Sequence, residues 1–129
     1  MEPKKKFYLA FFWSAGIAFA CLVSSNNIPS VSILGKDKIV HGLFYFVFSI
    51  LWFQYLEKRF TSWSFVLKLI VVLMAALLYG CMIELLQEIF TITRKAEVLD
   101  VLANMTGSIT AVFVMIIMKA FGKKSDSLQ

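Results

Sequence analysis

Long apolar blocks interrupted by short polar stretches are the dominant pattern along this chain. Four blocks reach the roughly 20 mostly apolar residues that a membrane-crossing helix requires. They cover residues 7–24, 39–56, 65–89 and 98–121, the third being most apolar up to Ile83 and helical beyond it. The connections hold the helix-breaking and polar residues: "SSNNIPS" with Gly35, then "EKRFTSWS", then "TITRKAE". No repeat or low-complexity segment is visible, and the tail "GKKSDSLQ" is polar. The pattern predicts an all-α integral membrane bundle of four transmembrane helices forming one domain over residues 1–129.

Composition agrees with the pattern. Hydrophobic residues make up 60% of the 129 and charged residues only 16%, below the quarter usual in a soluble globule. The net charge of +5 does not point to nucleic acid, because the basic residues flank apolar blocks instead of forming an aromatic-interleaved stripe. They read as snorkelling anchors at a bilayer surface. Cys21 and Cys81 lie inside apolar runs without metal-ligand spacing, so they are expected to be reduced packing residues. Neither a cofactor nor a metal is predicted.

Lys and Arg positions set the orientation. Lys4, Lys5, Lys6, Lys58, Arg59, Lys68, Lys119, Lys123 and Lys124 fall on one side, and Lys36, Lys38, Arg94 and Lys95 on the other. Nine against four places both termini in the cytoplasm. The opening "KKKFYLAFFWSAGIAFA" also has the look of a signal peptide, with Ala18-Phe19-Ala20 before Cys21. Retention of this segment as the first span is the expectation, and the chain is placed in the cytoplasmic (inner) membrane as a multi-pass protein.

This topology gathers the unusual polar residues at one membrane face. The segment "IELLQEIFTITRKAEVLDVLAN" alone holds Glu84, Glu88, Glu97 and Asp100, half of the eight acidic residues. His41 opens the second span, Glu84, Gln87 and Glu88 close the third, and Asp100 and Asn104 open the fourth. With the termini inside, all of these lie at the outer end. Glu84, Gln87 and Glu88 share one helical face with Gly80 and Cys81, Lys38 shares one with His41 and Tyr45, and Asp100 shares one with Asn104. Ala103, Gly107 and Ala111 form a small-xxx-small row that lets a neighbouring helix approach closely.

These motifs carry a resemblance. "DKIVHGLFYFVFSILW" followed by "IELLQEIFTITRKAEVLDVLANMTGS" resembles the VanZ-like family of small bacterial membrane proteins. The family pattern of Asp-Lys-x-x-His, Glu-x-x-Gln, an Arg and Asp-x-x-x-Asn-x-x-Gly falls on Asp37, Lys38 and His41, then Glu84 and Gln87, then Arg94, and finally Asp100, Asn104 and Gly107. "SSNNIP" is similar to the family's first connection, whereas "TITRKAEV" lacks the Gly or Pro often found before the Arg. The resemblance implies a fold and a site, together with an association of the founding member with resistance to the glycopeptide teicoplanin. It implies no particular reaction.

The candidate ligand-binding set is therefore Lys38, His41, Glu84, Gln87, Arg94, Asp100 and Asn104. His41 is either an interfacial residue bonded to a carbonyl or headgroup, or an acid/base or ligand group. Glu88 reads as a boundary residue, whereas Glu84, after nineteen nearly uncharged positions, reads as a functional or paired carboxylate. Asp100 is either an early-helix carboxylate favoured by the helix dipole or a partner of Arg94 or Lys38. Asn104 lies one turn deeper and is predicted to meet Gln87. Two function classes follow. In one, the cluster binds a lipid headgroup or envelope-related ligand; membrane lipids are then the partners and the oligomeric state is open. In the other, His41, Glu84 and Asp100 act as acid/base or metal-ligand residues of a membrane-embedded enzyme working on a lipid-linked or peptidoglycan-related substrate.

Overall fold

A computed structural model describes residues 2–23, 36–91 and 95–126 of the chain, with side chains given except at Lys36 and from residue 123 onward. Four α-helices account for nearly all of it: α1 (Pro3–Val23), α2 (Lys36–Arg59), α3 (Phe65–Phe90) and α4 (Val98–Asp126). All four are long and apolar enough to cross a membrane. The shortest has 21 residues, and at 1.5 Å per residue it extends about 31 Å, the thickness of a hydrocarbon core. Each helix outruns its predicted span by between one and five residues at one end or both. Helical hydrogen bonding continues through charged ends such as "PKKK" and "EKR", which hydropathy excludes.

The surface shows what solvent the bundle is made for. Phe12 and Phe19 of α1, Leu78 and Phe90 of α3, and Phe121 of α4 each expose about two thirds or more of their area. In water such a surface would drive association; in lipid tails it costs nothing. The chain is thus built as a multi-pass membrane protein.

Local chemistry sets the helix ends. Pro3 opens α1, where its missing N–H breaks no bond. Ser64 caps α3 through a hydrogen bond from the Leu67 N–H to its Oγ at 3.1 Å. Just before it, the stacked rings of Phe60 and Trp63, centroids 4.4 Å apart, fill the tight α2–α3 turn. At the far end of α3, the Thr91 N–H and Oγ1–H both donate to the Gln87 carbonyl, at 3.0 and 2.7 Å.

Inside the bundle α2 packs most extensively on α4, with α1 and α3 flanking that pair. Two apolar layers fill the core. Ile17, Cys21, Tyr45, Phe48, Ala76 and Ile83 pack toward the end where α2 and α4 begin. Phe53, Leu56, Leu69, Val72, Ala111 and Met115 close the opposite half. The small-residue row works as its spacing predicts: α2 and α4 touch backbone to backbone, and a β-carbon on Gly107 would collide with the Gly42 peptide. α1 packs through Ile17 and Cys21 and is tied further by polar contacts from one turn. Ser14 Oγ accepts from Trp52 Nε1 at 3.1 Å, its carbonyl accepts from Tyr79 Oη at 2.5 Å, and Trp13 Nε1 donates to the Phe44 carbonyl at 2.9 Å. Cys21 is buried, Cys81 is exposed, and the two are not joined.

Lys68 differs from its sequence reading. It was expected to be a surface anchor, yet it is buried in the first turns of α3 and donates to Glu57 Oε1 at 2.8 Å. Burial of the ammonium is compensated by a charge-assisted bond to a carboxylate that itself remains partly exposed. Lys119 has a similar local use, its ammonium lying 3.7 Å from the Phe65 ring centroid.

Candidate functional site

The end of the bundle where α1 and α3 finish and α2 and α4 begin holds the polar cluster. His41, Glu84, Gln87, Asp100 and Asn104 are all buried there, each at most 4% exposed. Burial at this level is unusual for carboxylates and amides, and each needs a partner. Where those partners lie decides what the cluster is.

The centre is the α2–α4 seam. His41 Nδ1 lies 3.1 Å from Asn104 Oδ1, within hydrogen-bond distance. The other ring nitrogen, Nε2, faces Asp37 Oδ1 at 3.9 Å, one turn earlier on the same helix. Lys38 bridges two carboxylates of the α4 start, Asp100 Oδ1 at 2.5 Å and Glu97 Oε2 at 3.0 Å. Asp100 is therefore more than a carboxylate at a helix N-terminus; of its two predicted partners, Lys38 is the one described. Arg94, the other, lies outside the described residues.

Glu84 and Gln87 leave α3 in different directions. Glu84 Oε2 accepts the backbone N–H of Glu97 at 3.0 Å and so ties the end of α3 to the chain entering α4. Gln87 Nε2 donates to the Cys21 carbonyl at 3.0 Å, closing the last turn of α1. The predicted Gln87–Asn104 pairing is thus replaced by two others: Asn104 meets His41, and Gln87 meets α1. A freed carbonyl at the end of α1 was the stronger claim on the Gln87 amide, because the last carbonyls of a helix have no intrahelical donor. Glu88 is exposed, as its boundary reading requires.

Three contributors were missed as site residues. Asp37 and Glu97 were in view in the sequence, and the i,i+4 spacing of Asp37 and His41 was the available signal for the first. Glu97 carried none beyond proximity to Asp100. The third is a polar seam running beneath the cluster. Tyr45 and Ser49 continue the His41 face at four-residue steps, and Ser108 continues that of Asp100 and Asn104. Tyr45 Oη, Ser49 Oγ, Asn104 Nδ2 and Ser108 Oγ are buried without a hydrogen-bond partner among the described residues. Gly80 of α3 makes room here, for a β-carbon on it would sit 3.1 Å from Asn104 Nδ2 and 3.6 Å from the Tyr45 hydroxyl. From His41 to Ser49 the seam descends about 12 Å at the α-helical rise. Below it the layer of Phe53, Leu56, Leu69 and Val72 is apolar. The polar region is therefore a buried seam that ends on an apolar layer.

A groove on the lipid side leads to the same place. It is lined by Lys38, Ile39, Gly42, Leu43, Phe46, Ala103, Thr106, Gly107 and Thr110, with Lys38 toward the cluster. Thr106 and Thr110 Oγ1 each donate to a carbonyl one turn back at 2.8 Å, so their hydroxyls line the groove without an unmet polar demand. Chemically the arrangement offers a hydrocarbon track, an ammonium at its end and carboxylates behind that.

No protein-family model matches the chain, and comparison with curated proteins and with solved structures likewise gave no match.

Proposed function

We propose that this protein is a VanZ-like membrane protein of the bacterial cytoplasmic membrane whose polar cluster faces outward and binds a lipid headgroup or similar envelope ligand. The single observation that supports this best is the junction at Lys38. One half-exposed ammonium stands where an apolar, lipid-facing groove meets buried Asp100 and His41. An acyl chain fits the groove along Ile39, Leu43 and Phe46. The mixed charges of Asp37, Lys38, Glu97 and Asp100 suit a zwitterionic headgroup, with phosphate toward Lys38 and ammonium toward the carboxylates. The sequence resemblance supplies the family, the outward orientation follows from the Lys/Arg bias, and a link to teicoplanin resistance is part of the same proposal. Binding is favoured over conduction because the polar seam stops at an apolar layer instead of crossing the bundle.

The test is the heat stability of purified protein in mild detergent with and without added phosphatidylethanolamine. Headgroup binding raises the unfolding temperature in proportion to lipid added. Thr106→Trp fills the groove from its exposed rim and is expected to remove that rise while leaving the lipid-free stability intact. An equal rise for wild type and Thr106→Trp, or none for wild type, rejects the groove as the binding site.

A further inference from the structure

The seam beneath the cluster forms a binding site of its own, which does not depend on the lipid reading. Tyr45 Oη, Ser49 Oγ, Asn104 Nδ2 and Ser108 Oγ lie there without a hydrogen-bond partner among the described residues, and their residues are at most 1% exposed. A buried hydroxyl or amide left unpaired is costly, and a hydrocarbon surround offers it no relief. Helical spacing gathers these groups. Tyr45 and Ser49 are one turn apart on α2, and Asn104 and Ser108 are one turn apart on α4. Both pairs descend from the His41–Asn104 contact. On α3, a β-carbon at Gly80 would meet both Asn104 Nδ2 and the Tyr45 hydroxyl.

The two serines differ from the other helix hydroxyls. A serine or threonine inside a helix can donate to the carbonyl four residues back. Ser14, Thr106 and Thr110 do so, each at 2.8 Å. Ser49 and Ser108 have the same option and do not take it, so their hydroxyls stay available to a guest between the helices. We propose that ordered water binds in this seam and joins Asn104, Tyr45, Ser108 and Ser49 into one hydrogen-bonded column. Water is the guest this chemistry selects. The four groups are uncharged and include both donors and acceptors, which one small molecule able to donate and accept can link. Burial this deep gives no access to anything larger, and the buried positions nearby on α3 and α4 include the small Gly80, Ala76 and Ala111. The column ends at the layer of Phe53, Leu56, Leu69 and Val72, so it hydrates one half of the bundle without crossing it. Nor does it turn on which His41 nitrogen carries the proton. With the Asn104 amide turned over, an oxygen would replace Nδ2 and require a donor, which water also supplies.

X-ray radiolytic footprinting of the full-length protein in detergent, without added lipid, tests this directly. The pulse makes hydroxyl radicals from water where it stands, so a buried ring is oxidised only if water is bound beside it. Tyr45 should be oxidised faster than Phe53, after correction for the intrinsic reactivity of the two rings, although Phe53 is the more exposed at 8% against 1%. A second measurement reads the hydroxyl itself. Tyr45→Phe removes Oη with little change in shape or helix propensity. If water holds that hydroxyl, the variant should unfold at a lower temperature than wild type; deleting an unpaired buried hydroxyl would instead leave the unfolding temperature unchanged or raise it. Oxidation of Tyr45 no faster than of Phe53 overturns the proposal, and so does a Tyr45→Phe variant as heat-stable as wild type or more so. Neither result bears on the phosphatidylethanolamine effect, so the two readings fail separately.

Discussion

Replacement of Gly107 by alanine is the sharpest perturbation the fold offers. A β-carbon at this position would overlap the Gly42 carbonyl oxygen and lie 2.7 Å from its carbon and 2.9 Å from the Gly42 α-carbon. These are backbone atoms of the facing helix and cannot rotate away. Non-bonded carbons rest near 3.5–4.0 Å, so α2 and α4 must part by about 1 Å. Asn104 stands one turn from Gly107, and its 3.1 Å contact with His41 would open to about 4.1 Å, past the limit of a hydrogen bond. Overpacking of this kind costs about 1–3 kcal/mol and the lost buried hydrogen bond about 1 kcal/mol more. We expect Gly107→Ala to lower unfolding free energy by about 3 kcal/mol, read by circular dichroism as detergent-solubilised protein is titrated with denaturing surfactant. Two controls share its chemistry without its contact. A β-carbon on Gly42 would meet the Ala103 carbonyl oxygen at 3.5 Å, an ordinary contact, and one on Gly16 would meet nothing within 4 Å. Both alanine variants should stay within about 0.5 kcal/mol of wild type or gain slightly from helix propensity. If Gly107→Ala behaves like these controls, α2 and α4 do not cross as described and the seam account fails.

Other expectations follow from single contacts. Glu57→Ala leaves the buried Lys68 ammonium without its carboxylate and should cost about 2 kcal/mol, less than a fully buried pair because Glu57 is partly exposed; Lys68→Met should recover most of it in the double variant, measured by the same titration. Ser14→Ala removes the acceptor of Trp52 Nε1 and should cost about 1 kcal/mol, with a change in tryptophan emission reporting the altered indole environment. For orientation, a cysteine at Lys95 should react in intact cells with a membrane-impermeant thiol reagent, whereas one at Ser62 should not; the reverse pattern would move the cluster to the cytoplasmic face.

The number and type of the helices were readable in the sequence because a hydrocarbon environment demands long uninterrupted apolar runs. The rotation of each helix was readable only where polar residues marked a face. Lipid and core are equally apolar, so Leu78 and Val72 look alike in sequence although one faces outward and the other is buried. Asp100, Asn104 and Gly107 could therefore be placed on one inward face of α4, and His41 and Tyr45 on one face of α2. The partner choices were not readable. Gln87 turned to α1 because a helix-terminal carbonyl needed a donor, and nothing in the local sequence at Cys21 announces that need. Lys68 was read as an anchor because Glu57 lies eleven positions away, across a turn whose geometry hydropathy does not give. The contacts of α1 were hidden for the same reason: Ser14 is one small hydroxyl in an apolar run, yet it joins α1 to α2 and α3.

The central claim is that the buried polar end is a working site as well as a clasp between helices. Glu84→Gln separates these roles most directly. The amide keeps an oxygen to accept the Glu97 N–H, now made at 3.0 Å, while removing one negative charge from the cluster. Unfolding measured with and without phosphatidylethanolamine should show lipid-free stability within about 1 kcal/mol of wild type, as expected when a hydrogen bond is preserved, together with a greatly reduced stabilisation by the lipid. A variant that unfolds readily in the absence of lipid, or one that responds to lipid as wild type does, would contradict the claim and leave the cluster a structural lock.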